Sequence, residues 1–322
     1  YMSDGTDKIT VRNADTFEPE RTFSVRLSGR KIPYINTRLW IEEDASFKEE
    51  GADKAVVMNN PSESNHEPWT KGIHHRTVCP ATPIFQQKNH QVCAMVKETG
   101  FDGVYIGQIA SFNAMLCFDK NHNHPVGGGT WWGKSNRAML KHVRNLMTED
   151  RVMTTESCCE IYTDCFDLML TTEMNNQQSA FNAMVGKVIV KNVPLYSMIY
   201  GDYALAYGSI CTLNDSPENY AFNFMRNLVW GILPTVEGIS QEELDREESK
   251  FHLQITKTTV DFFKANKALF LYGRLVNILD VSCQGITLDW NIRNAGVCQE
   301  EEKAVQAGLW EYADGTSCII AA

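Results

Sequence analysis

FDGVYIGQIA at residues 101–110 and VMTTES at residues 152–157 are the stretches that decide the fold. Each is a short apolar segment typical of a buried strand, and each ends in small or polar residues. Where strands alternate with helices in a barrel, the carboxyl ends of the strands carry the chemistry. The second stretch brings a carboxylate, Glu156, to that rim, whereas the first brings Gly107, which has no side chain.

The same alternation of strand and helix is predicted along most of the chain. Strands are predicted at residues 31–39, 103–106, 151–155, 166–171, 193–200 and 229–233. Helices are predicted at residues 17–30, 83–100, 136–147, 220–228 and 241–271. Six parallel strands separated by helices predict an α/β fold, a (β/α)8 TIM-type barrel whose first two strands would precede Tyr1. The alternative, an open doubly wound sheet, lacks a glycine-rich phosphate loop after its first strand.

The composition changes near the end of the chain. Residues 308–320 predict a strand, a turn at Ala313-Asp314-Gly315 and a second strand. We therefore predict two domains, an incomplete barrel over residues 1–280, and over residues 281–322 a linker with the truncated start of a β-sandwich-type domain.

Composition and charge exclude several classes of function. The 322 residues are 43% hydrophobic, enough for a large core, and the formal net charge is -10. This acidity argues against a nucleic-acid surface. The sequence contains no apolar run of the ~18 residues that a membrane span requires, and it shows no signal peptide. Because the N-terminus is expected to be missing, the compartment stays open between cytoplasmic and exported.

Ten cysteines lie at irregular spacings, and none forms a C-x-x-C pair. A zinc ribbon or a thioredoxin-like motif is therefore not supported. Several lie in apolar segments, where a free cysteine acts as a small hydrophobe. We predict buried thiols, with disulfides as the open alternative.

Cleavage of a glycosidic bond with retention requires two carboxylates about 5–5.5 Å apart. Neighbouring parallel strands are ~4.8 Å apart, so acids at the ends of adjacent strands meet this requirement. Glu156 provides one acid, and Gly107 stands where the second is needed. On residues alone, Glu156 is equally a solvated rim carboxylate or a helix cap.

A resemblance adds to these observations. PYINTRLW, CPAT, DGVYIGQIA, CFDKNHNHPVGGGTWW, TTES and IYGDYA, in that order between residues 32 and 233, resemble an uncharacterised bacterial barrel family. That family is related to the α-amylase-like and endo-α-N-acetylgalactosaminidase-like glycoside hydrolases. HPVGGGTWW is the most specific stretch.

The resemblance implies catalytic roles at three strand ends. Glu156 corresponds to the acid/base, and Gly107 replaces the aspartate that is the nucleophile in the family. Asp202, at the end of the seventh strand, would be a supporting carboxylate, or else a helix cap. Losing one member of a catalytic set costs many orders of magnitude, so Gly107 indicates impaired or lost hydrolysis.

Other polar and aromatic residues are predicted to bind the substrate, an oligosaccharide or glycoconjugate. These candidate glycan contacts are Tyr34, Asn36, Arg38, Gln108, His122, His124, Trp131, Trp132 and Tyr200. Arg38 has the alternative of pairing with a rim carboxylate, the two histidines of bracing their loop, and the tryptophans of anchoring it.

The pair His122 and His124, with Cys117 and Asp119 nearby, superficially resembles a metal site. A metal-dependent barrel hydrolase needs further ligands at other strand ends, and TTES and GILP offer no histidine there. We therefore expect no metal and no cofactor. Two functions remain, a glycoside-hydrolase-like protein for α-linked glycans and a non-catalytic carbohydrate-binding protein on the same barrel.

Overall fold

The computed structural model describes residues 7–12, 19–25, 29–172, 192–208, 211–292 and 296–322. The chain divides into two compact units, Tyr1–Thr155 and Glu156–Ala322. Within the described residues, no helix has the length and apolar character needed to cross a membrane.

The first unit begins with a β-hairpin. Strand β1 (Asp7–Arg12) pairs antiparallel with β2 (Pro19–Val25), with Ile9 opposite Phe23. The helix predicted over residues 17–30 is therefore wrong in its described part. Threonine, phenylalanine and valine in β2 favour extended backbone, and pairing with β1 decides the outcome.

Three short parallel strands follow in this unit. They are β3 (Tyr34–Asn36), β9 (Gly103–Gly107) and β10 (Val152–Glu156). Asn36 lies opposite Gly107, and Ile106 lies opposite Thr155. The strands predicted at residues 103–106 and 151–155 are confirmed, and the one predicted at 31–39 is shorter. The unit boundary falls inside β10, after Thr155.

Two helices connect these strands. Helix α2 (Pro83–Glu98) starts where the Thr82 side chain accepts a hydrogen bond from the Phe85 N–H, and it stops before Gly100, whose φ of 82° is left-handed. Helix α3 (Trp131–Leu146) buries Met139, Leu140 and Val143 on one face. Both predicted helices are confirmed, although α3 begins five residues earlier than the sequence indicated.

The long polar segment between β3 and α2 has structure of its own. Its elements are β4 (Leu39–Ile41), α1 (Ala45–Glu49), a 3-10 turn (Ala52–Lys54), β5 (Met58–Asn60), β6 (Glu63–Ser64), β7 (Glu67–Thr70) and β8 (Ile73–Thr77). These strands pair as two small antiparallel sheets, β4-β8-β7 and β5-β6.

The second unit contributes two further parallel strands. After a 3-10 turn (Glu160–Cys165), β11 (Leu168–Leu170) pairs with β12 (Leu205–Tyr207). The strand predicted at residues 166–171 is confirmed. The fold class is mixed α/β with parallel strands, but the pairings of the described strands do not close a barrel.

The strand predicted at residues 193–200 is wrong, because Leu195–Tyr200 is helix α4. Pro194 precedes its first turn, where a fixed φ favours helix initiation. Tyr196 and Tyr200, four residues apart, place their rings 5.2 Å from each other on one helix face.

Helices dominate the middle of the second unit. They are α5 (Pro217–Val229), α6 (Gln241–Asp245), α7 (Ser249–Ala265) and α8 (Lys267–Tyr272). Helix α5 confirms the helix predicted at residues 220–228. The strand predicted at 229–233 is reduced to one parallel bridge between Leu233 and Tyr207. The single helix predicted over residues 241–271 is three helices, interrupted near Arg246 and at Asn266, a poor helix former.

The chain ends in two antiparallel sheets. Their strands are β13 (Arg274–Leu279), β14 (Gly285–Ile292), β15 (Gly296–Lys303), β16 (Ala307–Glu311) and β17 (Ser317–Ala321). Pairing of β16 with β17 confirms the predicted hairpin. Strand β13, which precedes the predicted domain boundary at residue 280, pairs with β16 beyond it. The boundary itself stays a prediction.

Candidate functional site

Polar side chains from two neighbouring strands meet at the carboxyl end of the first unit's parallel strands. Asn36 is the register partner of Gly107, and Gln108 comes next in the chain. Nδ2 of Asn36 donates to Oε1 of Gln108 over 2.9 Å, and Nη2 of Arg38 donates to the same oxygen over 2.8 Å. The structure thus brings three of the candidate glycan contacts together.

The two terminal nitrogens of Arg38 are held by hydrogen bonds, and its guanidinium lies against an aromatic ring. Both of its terminal nitrogens bond the Glu67 carboxylate, Nη2 to Oε2 over 2.8 Å, and Nη1 also donates to Thr77 over 3.1 Å. The guanidinium carbon lies 3.5 Å from the centre of the Phe112 ring. Both Arg38 and Glu67 are buried. Arg38 therefore pairs with a carboxylate, the alternative that its sequence context left open, and it positions Gln108.

No sequence pattern identifies Glu67 as a site residue. It lies in the polar segment between β3 and α2, at the first residue of β7, and nothing in its neighbours marks it as a partner of Arg38. Only the pairing of β7 with β8, and of β8 with β4, brings Glu67 beside the strand exit that carries Arg38.

The space at position 107 is already filled. A Cβ built on Gly107 would lie 2.2 Å from Cζ and from the phenol oxygen of Tyr34. The Tyr34 ring packs edge-on against Tyr105, with centroids 5.0 Å apart, and 48% of the Tyr34 surface is exposed. The phenol therefore occupies the space into which a side chain at position 107 would project.

An unusual backbone conformation follows strand β9 and strand β10. Gln108 has φ 62° and Ser157 has φ 64°, and they are the two non-glycine residues with positive φ among the residues described. Such strained residues cluster at functional sites. They immediately follow Gly107 and Glu156, the two positions to which the resemblance gives catalytic roles.

Glu156 begins the second unit, where its charge acts on a second carboxylate. Burial raises the pKa of Glu237, and the negative charge of Glu156 raises it further. Glu237 follows Leu233, the residue that bridges to β12, by four positions. Sequence analysis missed Glu237, because its TVEG context carries no motif. The separation of Gly107 from Glu156, on which retention depends, stays a prediction.

Asp202 and Tyr200 do not lie at a strand's carboxyl end. Tyr200 is the last residue of α4, and Asp202 is exposed in the turn that leads into β12. The premise for both as rim residues is wrong, because the segment before them is helical and β12 begins only at Leu205.

The two tryptophans predicted to contact the glycan are covered by protein. Trp131 and Trp132 are buried at the start of α3, in one apolar cluster with Val57. Trp131 stacks on the ring of His124, with centroids 3.7 Å apart and planes 7° from parallel. The tryptophans therefore anchor the loop, and their faces are not presented to a sugar.

His122 and His124 lie in a cluster with two cysteines. The ligand atoms of Cys79, Cys117, His122 and His124 all lie within 4.8 Å of one another. A hydrogen bond from Cys79 lowers the pKa of Cys117, and contact with His122 lowers it further, while the same bond and burial raise the pKa of Cys79. All ten cysteines of the chain are free thiols.

Comparison with solved structures places this fold among glycosidases. The α-N-acetylgalactosaminidase NagBb from Bifidobacterium bifidum superposes with a TM-score of 0.53 at 12% identity, over 88% of this chain and 39% of that chain. A GH31 family sulfoquinovosidase from E. rectale gives a TM-score of 0.51 at 12% identity, over 91% and 49%. The fold is therefore glycoside-hydrolase-like.

Sequence relatives agree with that class. A Bacteroides thetaiotaomicron protein named "Putative glycoside hydrolase" is 31% identical over 258 residues, which are 78% of this chain and 36% of that protein. A similarly named Monosiga brevicollis protein is 31% identical over 194 residues, 57% of this chain and 16% of that one. This chain belongs to the family described as Domain of unknown function (DUF6259), which it matches over residues 12–211. It spans about a third of the first relative's length.

Proposed function

We propose that this chain is a glycoside-hydrolase-like protein for α-linked glycans whose hydrolysis is impaired because position 107 has no carboxylate. One observation carries the proposal: the Tyr34 phenol fills the space in front of Gly107. The glycosidase-like fold and the glycoside hydrolase names of the relatives support the substrate class.

The proposed division of labour follows from retaining chemistry. Glu156 protonates the leaving oxygen as acid/base, and the vacant Gly107 position would hold the attacking carboxylate. Removing a nucleophile typically costs at least ~10⁴-fold in rate. The protein should therefore still bind glycans although it turns them over very slowly. Asn36 and Gln108, fixed to each other, offer amide groups to ring hydroxyls beside the vacancy.

Restoring the acid tests this proposal. We expect Gly107→Asp combined with Tyr34→Ala to hydrolyse an aryl α-N-acetylgalactosaminide or α-galactoside, because the carboxylate returns and the ring no longer blocks it. Gly107→Asp alone should recover less, since the half-exposed Tyr34 ring must first swing outward. The matched control is Gly107→Asn with Tyr34→Ala, which has the same bulk but no negative charge.

Small anions give a second test, in a variant that keeps Gly107 but lacks the Tyr34 ring. In Tyr34→Ala, azide or formate should enter the vacated space and restore part of the turnover if Glu156 is the acid/base. Glu156→Gln in the same background should abolish that rescue. No turnover in the restored variant or with either anion would contradict the retaining site.

The second candidate is a non-catalytic carbohydrate-binding protein on the same fold. The packing of Tyr34 against Tyr105 favours this binding function, because an aromatic ring fixed beside Gly107 is suited to contact the face of a sugar ring. Calorimetric titration of α-linked oligosaccharides decides between the two functions. Binding that Asn36→Ala weakens, without turnover in any restored variant, would support the binding protein.

A further inference from the structure

Four potential metal ligands converge in the first unit, and none of them takes part in the glycan cleavage proposed above. Cys79 lies between β8 and α2, and the other three, Cys117, His122 and His124, lie between β9 and α3. Each offers one ligand atom, and all four atoms lie within 4.8 Å of one another. We propose that they form a structural site for a tetrahedral divalent metal ion, with zinc as the ion they suit best.

The spacing fits the coordination sphere of zinc. Zn–S bonds of about 2.3 Å and Zn–N bonds of about 2.0–2.1 Å put tetrahedral sulfur and nitrogen ligands about 3.6 Å apart. Sγ of Cys117 lies 3.4 Å from Nδ1 of His122. A two-cysteine, two-histidine set leaves no open coordination position, which is the pattern of structural rather than catalytic zinc.

Both imidazole rings are already oriented as metal ligands. Nε2 of His122 bonds the Lys54 carbonyl over 3.0 Å, which makes Nε2 the protonated nitrogen and leaves the lone pair of Nδ1 facing Cys117. Nδ1 of His124 bonds the Pro125 carbonyl over 2.8 Å, which leaves the lone pair on Nε2. A backbone carbonyl behind each ring is the usual outer-sphere support of a metal-binding histidine.

Nε2 of His124 supplies an independent observation. This atom is buried and has no hydrogen-bond partner. Buried polar atoms nearly always have a hydrogen-bond partner or a metal ligand bond, so an unpaired buried nitrogen indicates a partner that is not among the protein atoms. A metal ion shared with Cys117 and His122 satisfies it.

The surroundings suit a neutral, closed site. The two cysteines belong to one buried cluster with Val57, Trp131 and Trp132. Two thiolates balance the charge of a divalent ion, so no net charge is buried. The Met58 N–H lies 3.5 Å from Sγ of Cys117 and donates to it, as backbone donors do to metal-bound thiolates.

The proposed metal site would fix the loop that follows Gly107. Cys117 and Gly127 exchange backbone hydrogen bonds of 3.2 and 2.7 Å, which closes residues 117–127 into a loop of their own. The metal would join that loop to Cys79, which lies between β8 and α2. His122 and His124 then hold the loop that follows the vacant nucleophile position, and they are not glycan contacts.

Metal content of the whole chain tests the proposal. The 322-residue protein is purified under reducing conditions from zinc-supplemented culture, desalted, and measured by inductively coupled plasma mass spectrometry. We expect one zinc per chain. Cobalt introduced in place of zinc should give a sulfur-to-cobalt charge-transfer band, which reports thiolate ligation directly. Less than about a tenth of an equivalent of metal, with no cobalt band, would overturn the proposal.

Matched variants assign the ligands. Cys79→Ser and His124→Ala should each lose most of the metal, whereas Cys93→Ser, at a buried cysteine outside the cluster, and His142→Ala, at an exposed histidine, should keep it. If the ligand variants fail to fold, chelation of the unmodified protein replaces them. It should make residues 117–127 sensitive to protease, reversibly on adding zinc. Full metal content in His124→Ala, or a Cys79–Cys117 disulfide in the native protein, would contradict the site.

Discussion

Arg38 shows how a single buried charge organises the rim of the first unit. Its guanidinium is bonded to Glu67 and Thr77, lies over Phe112, and donates to Gln108. Leaving a buried charge without its partner costs far more than the pair contributes. The rim geometry therefore depends on a carboxylate that lies 29 residues along the chain from Arg38.

Glu67→Ala should lower the free energy of unfolding by about 3 kcal/mol, because Arg38 stays buried without its counter-ion. Urea unfolding followed by tryptophan fluorescence measures the change. Glu63→Ala, at an exposed carboxylate in the neighbouring hairpin, is the control and should change stability by less than about 0.5 kcal/mol. Equal effects of the two variants would show that the ion pair does not hold the rim.

The same carboxylate gives a pH dependence of defined sign. Burial alone would raise the pKa of Glu67, but hydrogen bonds from Arg38, Thr77 and Trp69 hold that pKa below its usual 4.5. Its contribution to stability is therefore complete above pH 4.5 and lost as the pH falls through the lower folded value. The difference in unfolding free energy between wild type and Glu67→Ala should shrink below pH 4.5. A difference that is constant from pH 7 to pH 3 would contradict this.

The contribution of Glu237 to the free energy of unfolding should depend on pH in the opposite direction. Burial and then the charge of Glu156 raise the pKa of Glu237 above 4.5, so ionising it costs stability as the pH rises through the folded value. Glu237→Gln should be more stable than wild type at pH 7 and indistinguishable from it below pH 4.5. Unfolding at both pH values measures this, with the exposed Glu242→Gln as control. Lower stability of Glu237→Gln at pH 7 would contradict it.

At the scale of single elements, local sequence patterns identified helices α2, α3 and α5 and strands β9, β10 and β11. Thr82-Pro83 and Ser216-Pro217 mark the starts of α2 and α5, because each side chain caps the first turn and proline suits the first helical position. The strand predicted at residues 193–200 is wrong because five of the six residues of Leu195–Tyr200 are apolar or aromatic, a composition that fits either a strand or a buried helix. Strand β2 lies where a helix is predicted, because antiparallel pairing with the preceding strand β1 decides its conformation.

The cap of α5 is open to a direct test. The Ser216 hydroxyl accepts the Asn219 N–H over 3.3 Å. Ser216→Ala should lower the free energy of unfolding by about 1 kcal/mol, because that N–H loses its partner, whereas Ser216→Asp should retain the cap. Chemical unfolding followed by far-ultraviolet circular dichroism compares the two. Equal stability of both variants with wild type would mean that the cap contributes nothing.

At the scale of the whole chain, each unit is held by contacts between distant segments. In the second unit, Trp310 donates through Nε1 to the Val229 carbonyl over 3.0 Å and packs edge-on against Phe270. A Cβ on Gly231 would lie 2.5 Å from the Trp310 ring, so only glycine fits there. The terminal sheet is therefore tied to helices that precede the predicted domain boundary.

Trp310→Ala should lower the free energy of unfolding by about 3–5 kcal/mol, because it opens a large cavity and leaves the Val229 carbonyl unpaired. Ile319→Ala, at an exposed position in the paired strand β17, is the control with a small effect. Thermal and urea unfolding of both variants check the prediction. A small effect of Trp310→Ala would mean that residues 281–322 do not support the rest of the unit.

The amino-acid sequence by itself determined the alternation of strands and helices around residues 101–157, the glycine at position 107 and the glycosidase resemblance, because periodicity and motifs are local. Only the tertiary structure decided that Glu67 neutralises Arg38, that Tyr34 fills the place before Gly107, and that Cys79 meets Cys117, His122 and His124. Each of these joins residues far apart in the chain. Such contacts form when paired strands and buried apolar surface fix which segments meet, and no local pattern records that choice.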